Sequence, residues 1–180
     1  MRYLITLPWM PYPATDGGKQ GSFNMLMELQ NMIDITLIYP VFFKKQMACQ
    51  YLLEKQLPKV KVYPFEYYKN KDGIKSQYSL FRLHRIITRK FLKQPYLATP
   101  IYKDAYIDFV NEIIKKDRID IVQNEYFEQL YMVYAIPNTV KKVFIQHEIQ
   151  YIAKERLFQQ REYPSSVRYL ATMQRLQEIN

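Results

Sequence analysis

Few residues in this chain are placed to do chemistry. His147 follows an apolar run, Val143-Phe144-Ile145, and stands between Gln146 and Glu148. An imidazole there can donate or accept a hydrogen bond near neutral pH. Glu125 follows a second apolar run, residues 121–122, with Gln123 and Asn124 between. It can contact hydroxyls or cap the following helix. Gly17 and Gly18 lie in a loop, residues 8–21, that also carries Trp9, Tyr12 and three prolines. Glycines permit backbone angles closed to other residues and let a ligand approach the chain closely. Amides at the start of a helix can face a phosphate or a sugar hydroxyl. Each feature also has an ordinary structural reading: a satisfied histidine, a tight turn, a helix cap.

Several chemistries are excluded by spacing. The glycines do not form Gly-x-Gly-x-x-Gly, and no P-loop Lys-Ser/Thr pair follows them. His147 and Glu148 are adjacent and no third ligand accompanies them, so no metal site is indicated. No Ser-His-Asp arrangement and no close acidic pair is identifiable, so the chain displays no self-contained hydrolase site. The single cysteine, Cys49, rules out an internal disulfide and a cysteine-rich metal site, and fits a reducing compartment.

Charge points to anionic neighbours. Lys and Arg number 26 against 17 Asp and Glu, a net charge of +9. Arg82, Arg85, Arg89 and Lys93 fall at intervals of three, four and four, on one side of an expected helix. Leu80, Leu83, Ile87 and Phe91 lie roughly opposite. Such a face is either solvated or rests on anionic lipid headgroups, its arginine stems reaching past apolar side chains. No nucleic-acid recognition motif accompanies it, and that partner is set aside. The 17 tyrosines often neighbour lysines, as in Tyr67-Tyr68-Lys69. That pairing suits sugars, single strands or a bilayer interface alike.

The elements that must position these groups alternate along the chain. Strands are expected at residues 3–7, 35–39 (ending at Pro40), 60–63, 119–123 and 142–145. Helices are expected at about 18–31, 44–57, 80–93, 99–116 and 128–135, with a largely helical region from 148 onward. The helix at 99–116 is expected to bury Ala105, Phe109 and Ile113. The pattern is that of a parallel sheet covered by helices, with a ligand crevice at the carboxyl ends of its strands. A length of 180 residues, 48% of them hydrophobic, suits one α/β domain. No run of 18 apolar residues occurs. The N-terminus has one basic residue, Arg2, and an apolar run broken by prolines, unlike a signal peptide. A cytoplasmic location is expected.

Taken together, the segments resemble the N-terminal half of a family 4 retaining glycosyltransferase with the GT-B fold. The resemblance rests on three pieces in the expected order: a first strand and proline-bearing loop leading to Gly17-Gly18; Asp120-Ile121-Val122-Gln123 with Glu125 following; and Val143 to Glu148, with Glu155-Arg156 downstream. It implies a Rossmann-like acceptor-side domain over residues 1–180. A second domain, absent from this sequence, would bind the nucleotide-sugar and supply a Glu-x7-Glu region. Alone, this half would be inactive. The resemblance places Gly17 and Gly18 near the reacting sugar or donor diphosphate, His147 on the transferred sugar or the acceptor, Glu125 as an acceptor contact, and Trp9 and Tyr12 either against a sugar ring or packed within the loop. It requires neither metal nor cofactor beyond the nucleotide-sugar substrate. The acceptor would be a carbohydrate or a lipid-linked molecule, and Arg82, Arg85, Arg89 and Lys93 would meet it at the inner membrane face, in surface polysaccharide or glycolipid synthesis. Two other readings stay open: an α/β module binding a phosphorylated metabolite at the Gly17-Gly18 edge, and a protein-interaction domain using its tyrosine-rich surface.

Overall fold

The computed structural model describes residues 1–70, 103–126 and 129–147. Residues 1–71 and 102–147 make up one compact unit, and residues 72–101 and 148–180 a second that lies outside the described residues. The basic set Arg82, Arg85, Arg89 and Lys93 therefore falls outside them, as do His84, Glu148 and Glu155-Arg156.

Five strands are described: β1 (Arg2–Thr6), β2 (Asp34–Val41), β3 (Lys61–Glu66), β4 (Ile121–Glu125) and β5 (Lys141–Ile145). They pair in the order β3-β2-β1-β4-β5, every pair parallel. Between them run α1 (Gly17–Leu29), α2 (Met47–Gln56), α3 (Lys103–Asp117) and α4 (Leu130–Ala135), with 3-10 turns at Lys44–Gln46 and Tyr67–Asn70. This is a Rossmann-like α/β fold with helices on both faces.

Alternation along the strands divides the core. Leu4, Ile38 and Val122 face one way, into a cluster with Tyr106, Val110 and Ile113 of α3 and Met132 of α4. Ile5, Leu37 and Tyr39 face the other way, onto Leu26 of α1 and Leu53 of α2. The buried face of α3 agrees with expectation at Ile113 and departs from it at Ala105 and Phe109. Ala105 is exposed and Phe109 half-buried, while Tyr106, Val110, Ile113 and Ile114 are buried. The face is turned by about one residue, roughly 100°, and the edge-strand ring Phe65 contacts both Tyr106 and Phe109, each 5.3 Å away between centroids.

Pro40, at which the second strand was expected to end, and Pro64, just past the expected end of the third, both lie inside strands. Pro40 is buried within β2. The amide of Leu7 donates to the carbonyl of Ile38 at 2.9 Å. The next rung towards β1 would need the N–H of residue 40, and there β1 has already given way to Pro8. The β1 pairing ends at Ile38, and β2 continues to Val41 on its pairing with β3 alone. Pro64 sits in β3, an edge strand of the described sheet, where a missing N–H can face outward.

The start of β1 is tied to the entry of β4. The Arg2 amide donates to Asp120 Oδ2 at 2.8 Å, and its guanidinium to Oδ1 at 3.3 Å. The Arg2 amide chiefly, and then its side chain, hold the Asp120 carboxyl below the usual carboxylate range. A depressed carboxyl adds stability above its unfolded value, lost as pH falls through the folded one. Asp120→Asn is therefore expected to lower Tm by a constant amount above about pH 5, the gap closing below about pH 3. Thermal melts across that range check this, and a gap that persists in acid would refute it.

Candidate functional site

Strands β1 and β4 are neighbours at the centre of the sheet, and the chain winds away from them in opposite directions. That is the topological switch point, where open α/β sheets hold ligands at the carboxyl ends of their strands. β1 runs from here into the loop carrying Trp9, α1 starts at Gly17, β4 ends at Glu125 and β5 ends two residues before His147. The parallel topology thus carries Trp9, Gly18, Glu125 and His147 to one edge.

Their side chains meet there. Glu125 is fully buried. Its Oε2 lies 3.1 Å from His147 Nε2 and accepts from Ser22 Oγ at 3.2 Å. Its Oε1 accepts from Gln123 Nε2 at 2.6 Å. Tyr3 donates its hydroxyl to Gln123 Oε1 at 2.6 Å. Burial, and then the negative charge of Glu125, push the Tyr3 phenol up from its ordinary value. A buried carboxylate is costly unless it is hydrogen-bonded on both oxygens, and here it is.

Tyr126 closes the cluster. Its ring stacks on the His147 imidazole, centroids 4.2 Å apart and planes 21° apart, and lies 4.5 Å from the Trp9 ring. Its hydroxyl donates to the Gly18 carbonyl at 2.8 Å and sits 3.2 Å from Ser22 Oγ. Each hydroxyl has one proton. With those of Tyr126 and Ser22 committed to Gly18 and Glu125, the distance between them is a contact. Tyr126 takes a left-handed backbone, φ 68°. That conformation costs a bulky residue about 1–3 kcal/mol, and the stacking and the Gly18 bond hold it.

The glycines serve differently from expectation. Neither Gly17 nor Gly18 has a positive φ; both lie in the first turn of α1. Gly18 is small because a Cβ there would come within 3.2 Å of the Tyr126 hydroxyl and 3.6 Å of the Trp9 ring. At Gly17 a Cβ would meet nothing within 4 Å. Gly17→Ala is expected to stabilise the fold by about 0.5–1 kcal/mol, since alanine suits a helical backbone better. Chemical denaturation measures this, and a loss of stability would contradict it.

The start of α1 is also already capped. Asp16 Oδ1 accepts from the Lys19 amide at 3.0 Å and Oδ2 pairs with Lys19 Nζ at 3.2 Å. The Lys19 amide chiefly holds the Asp16 carboxyl below its usual range. A phosphate approaching these amides meets a carboxylate first.

Trp9 joins the cluster through Tyr126, and its Nε1 is buried without a hydrogen-bond partner. Tyr12 does not join it: its ring packs on Phe23 of α1, centroids 5.6 Å apart. Ser22, Gln123 and Tyr126 were not among the expected site residues. Gln123 and Glu125 carried a usable signal, two polar groups two apart on one face of a central strand. Thr6 and Asn124 form a further buried polar pair, Thr6 Oγ1 donating to Asn124 Oδ1 at 2.8 Å.

No protein-family model, curated protein or solved structure matches this chain. Among the described residues, no group of three or more potential ligands could hold a metal ion, and no helix is long and apolar enough to cross a membrane.

Proposed function

We propose that this chain is the acceptor-side domain of a glycosyltransferase that moves a sugar from a nucleotide-sugar to a hydroxyl. The observation that carries the reading is the convergence of Gly18, Glu125 and His147 at the β1–β4 switch point. Those are the groups that the three resembling segments single out, and they come from positions 107 and 22 residues apart in the chain. The chemistry of the edge fits a hydroxyl better than a phosphate. The Asp16 carboxylate stands at the helix start, and the Glu125 carboxylate backs the imidazole. A ligand rich in O–H donors suits such acceptors; a dianion does not.

In this proposal His147 holds a hydroxyl of the acceptor or of the transferred sugar, and Gly17 leaves room for the ligand at the backbone. A second α/β domain supplies the nucleotide-sugar site and stabilises the leaving diphosphate. The two domains together bring acceptor oxygen and anomeric carbon into line. Retention of configuration follows from the family resemblance, as does contact of the basic segment containing Arg82, Arg85, Arg89 and Lys93 with an anionic membrane face.

The test is sugar transfer by the natural gene product, with a panel of nucleotide-sugars and hydroxyl acceptors, run beside the 180-residue chain. Transfer by the gene product supports the proposal. Hydrolysis and transfer both absent across the panel, with saturable binding of a phosphorylated metabolite to the 180-residue chain, would replace it by the metabolite-binding reading.

A further inference from the structure

The hydrogen-bond pattern behind His147 fixes more than its position. Gln123 can be oriented one way only. Its Oε1 accepts the Tyr3 hydroxyl, and its Nε2 faces both Glu125 Oε1 and the sulfur of Met25, at 3.6 Å. Sulfur and carboxylate are both acceptors, so both amide protons are used. Ser22 Oγ donates to Oε2, and Tyr126 gives its own proton to Gly18. Glu125 is thus a pure acceptor at both oxygens, which is the bonding of an ionised carboxylate. The remaining partner, His147 Nε2, must then carry a proton.

We infer that Glu125 is a positioning residue that holds neutral His147 as the Nε2–H tautomer, leaving Nδ1 as a bare hydrogen-bond acceptor for a ligand hydroxyl in the crevice. His147 makes no other hydrogen bond among the described residues. Stacking on Tyr126 fixes the ring plane and so aims Nδ1. A charge-assisted bond to a buried carboxylate is stronger than the neutral alternative, and it sets the tautomer. Opposite the neutral ring, the ligand group is therefore a donor, a hydroxyl and not an ester oxygen or a phosphate. In naming a sugar hydroxyl, the inference rests on the glycosyltransferase reading; the tautomer itself does not.

Long-range proton–nitrogen correlation on the 15N-labelled 180-residue chain, near pH 8, reads the tautomer directly, with His84 as the second histidine and H147A for assignment. The expected result is a protonated Nε2 and a bare Nδ1 at His147. In E125Q the preference for that tautomer should fall by roughly tenfold, the size of a charge-assisted bond. A protonated Nδ1 in the wild-type chain overturns the inference, as does an unchanged ratio in E125Q. A second readout uses the transferring gene product. H147N keeps an amide near the Nδ1 position and should retain roughly tenfold more transfer than H147Q, which keeps one only near Nε2. Equal activities would overturn the hydroxyl-acceptor role. An intact tautomer with no transfer by the wild-type product would instead remove the glycosyltransferase reading alone.

Discussion

If the proposed glycosyltransferase reading holds, replacing His147 by alanine is expected to lower sugar transfer by the natural gene product by about a hundredfold or more, with little change in stability. The ring reaches solvent, its side chain 36% exposed, while Glu125 behind it is fully buried. Ser22, Gln123 and Tyr3 satisfy the carboxylate, and Tyr126 and Trp9 support the ring. An arrangement that commits so many groups to one imidazole aligns that imidazole for something outside the fold. The effect should fall mainly on kcat, because a hydroxyl misaligned by about an ångström is still bound but no longer reacts. Stability should change little, since the ring lies at the rim and Glu125 keeps two donors. Steady-state kinetics and a thermal melt of the same preparation check both parts. A loss of less than about threefold would place His147 outside the reaction.

The position of this site was legible in the sequence because parallel topology does the gathering. Once residues 3–7, 119–123 and 142–145 are read as strands of one parallel sheet, the residues after each strand must arrive at the same edge. Gly17, Glu125 and His147 then need no contact information to be placed together. What that reading could not supply is which of them touches which. Glu125 was expected to meet an acceptor, and it is instead sealed beneath His147 with no exposed surface. Two facts outside local pattern decide this. Ser22 is a small residue on the buried side of an ordinary helix until α1 is laid across β4. Tyr126 turns back over the imidazole only through a left-handed backbone, which a tyrosine does not advertise. The prolines erred in the opposite sense. Pro40 and Pro64 signal strand breaks locally, yet each lies where the missing N–H faces no partner strand. Their tolerance is a property of strand order, and spacing along the chain does not contain strand order.

Replacing Glu125 by alanine is expected to cost about 3 kcal/mol of stability and roughly 6–12 °C in Tm, the largest loss from any single residue of the site. The carboxylate is the common acceptor for Gln123, Ser22 and His147, and its removal leaves the Gln123 amide buried with only a weak sulfur partner. Ser22 can turn towards Tyr126, so part of the loss is recovered. Glu125→Gln keeps the shape and should cost less in stability, but it sets a new N–H₂ against existing donors. The decisive comparison is a double-mutant cycle with His147→Ala. Read on transfer activity, where His147→Ala has its large effect, the second substitution adds less than its own cost if the buried carboxylate and the imidazole act as one unit, and the cycle shows a coupling of about 1 kcal/mol or more. Simple additivity would mean that stacking on Tyr126 alone orients His147, and that the charge beneath it serves the packing of β4 against α1.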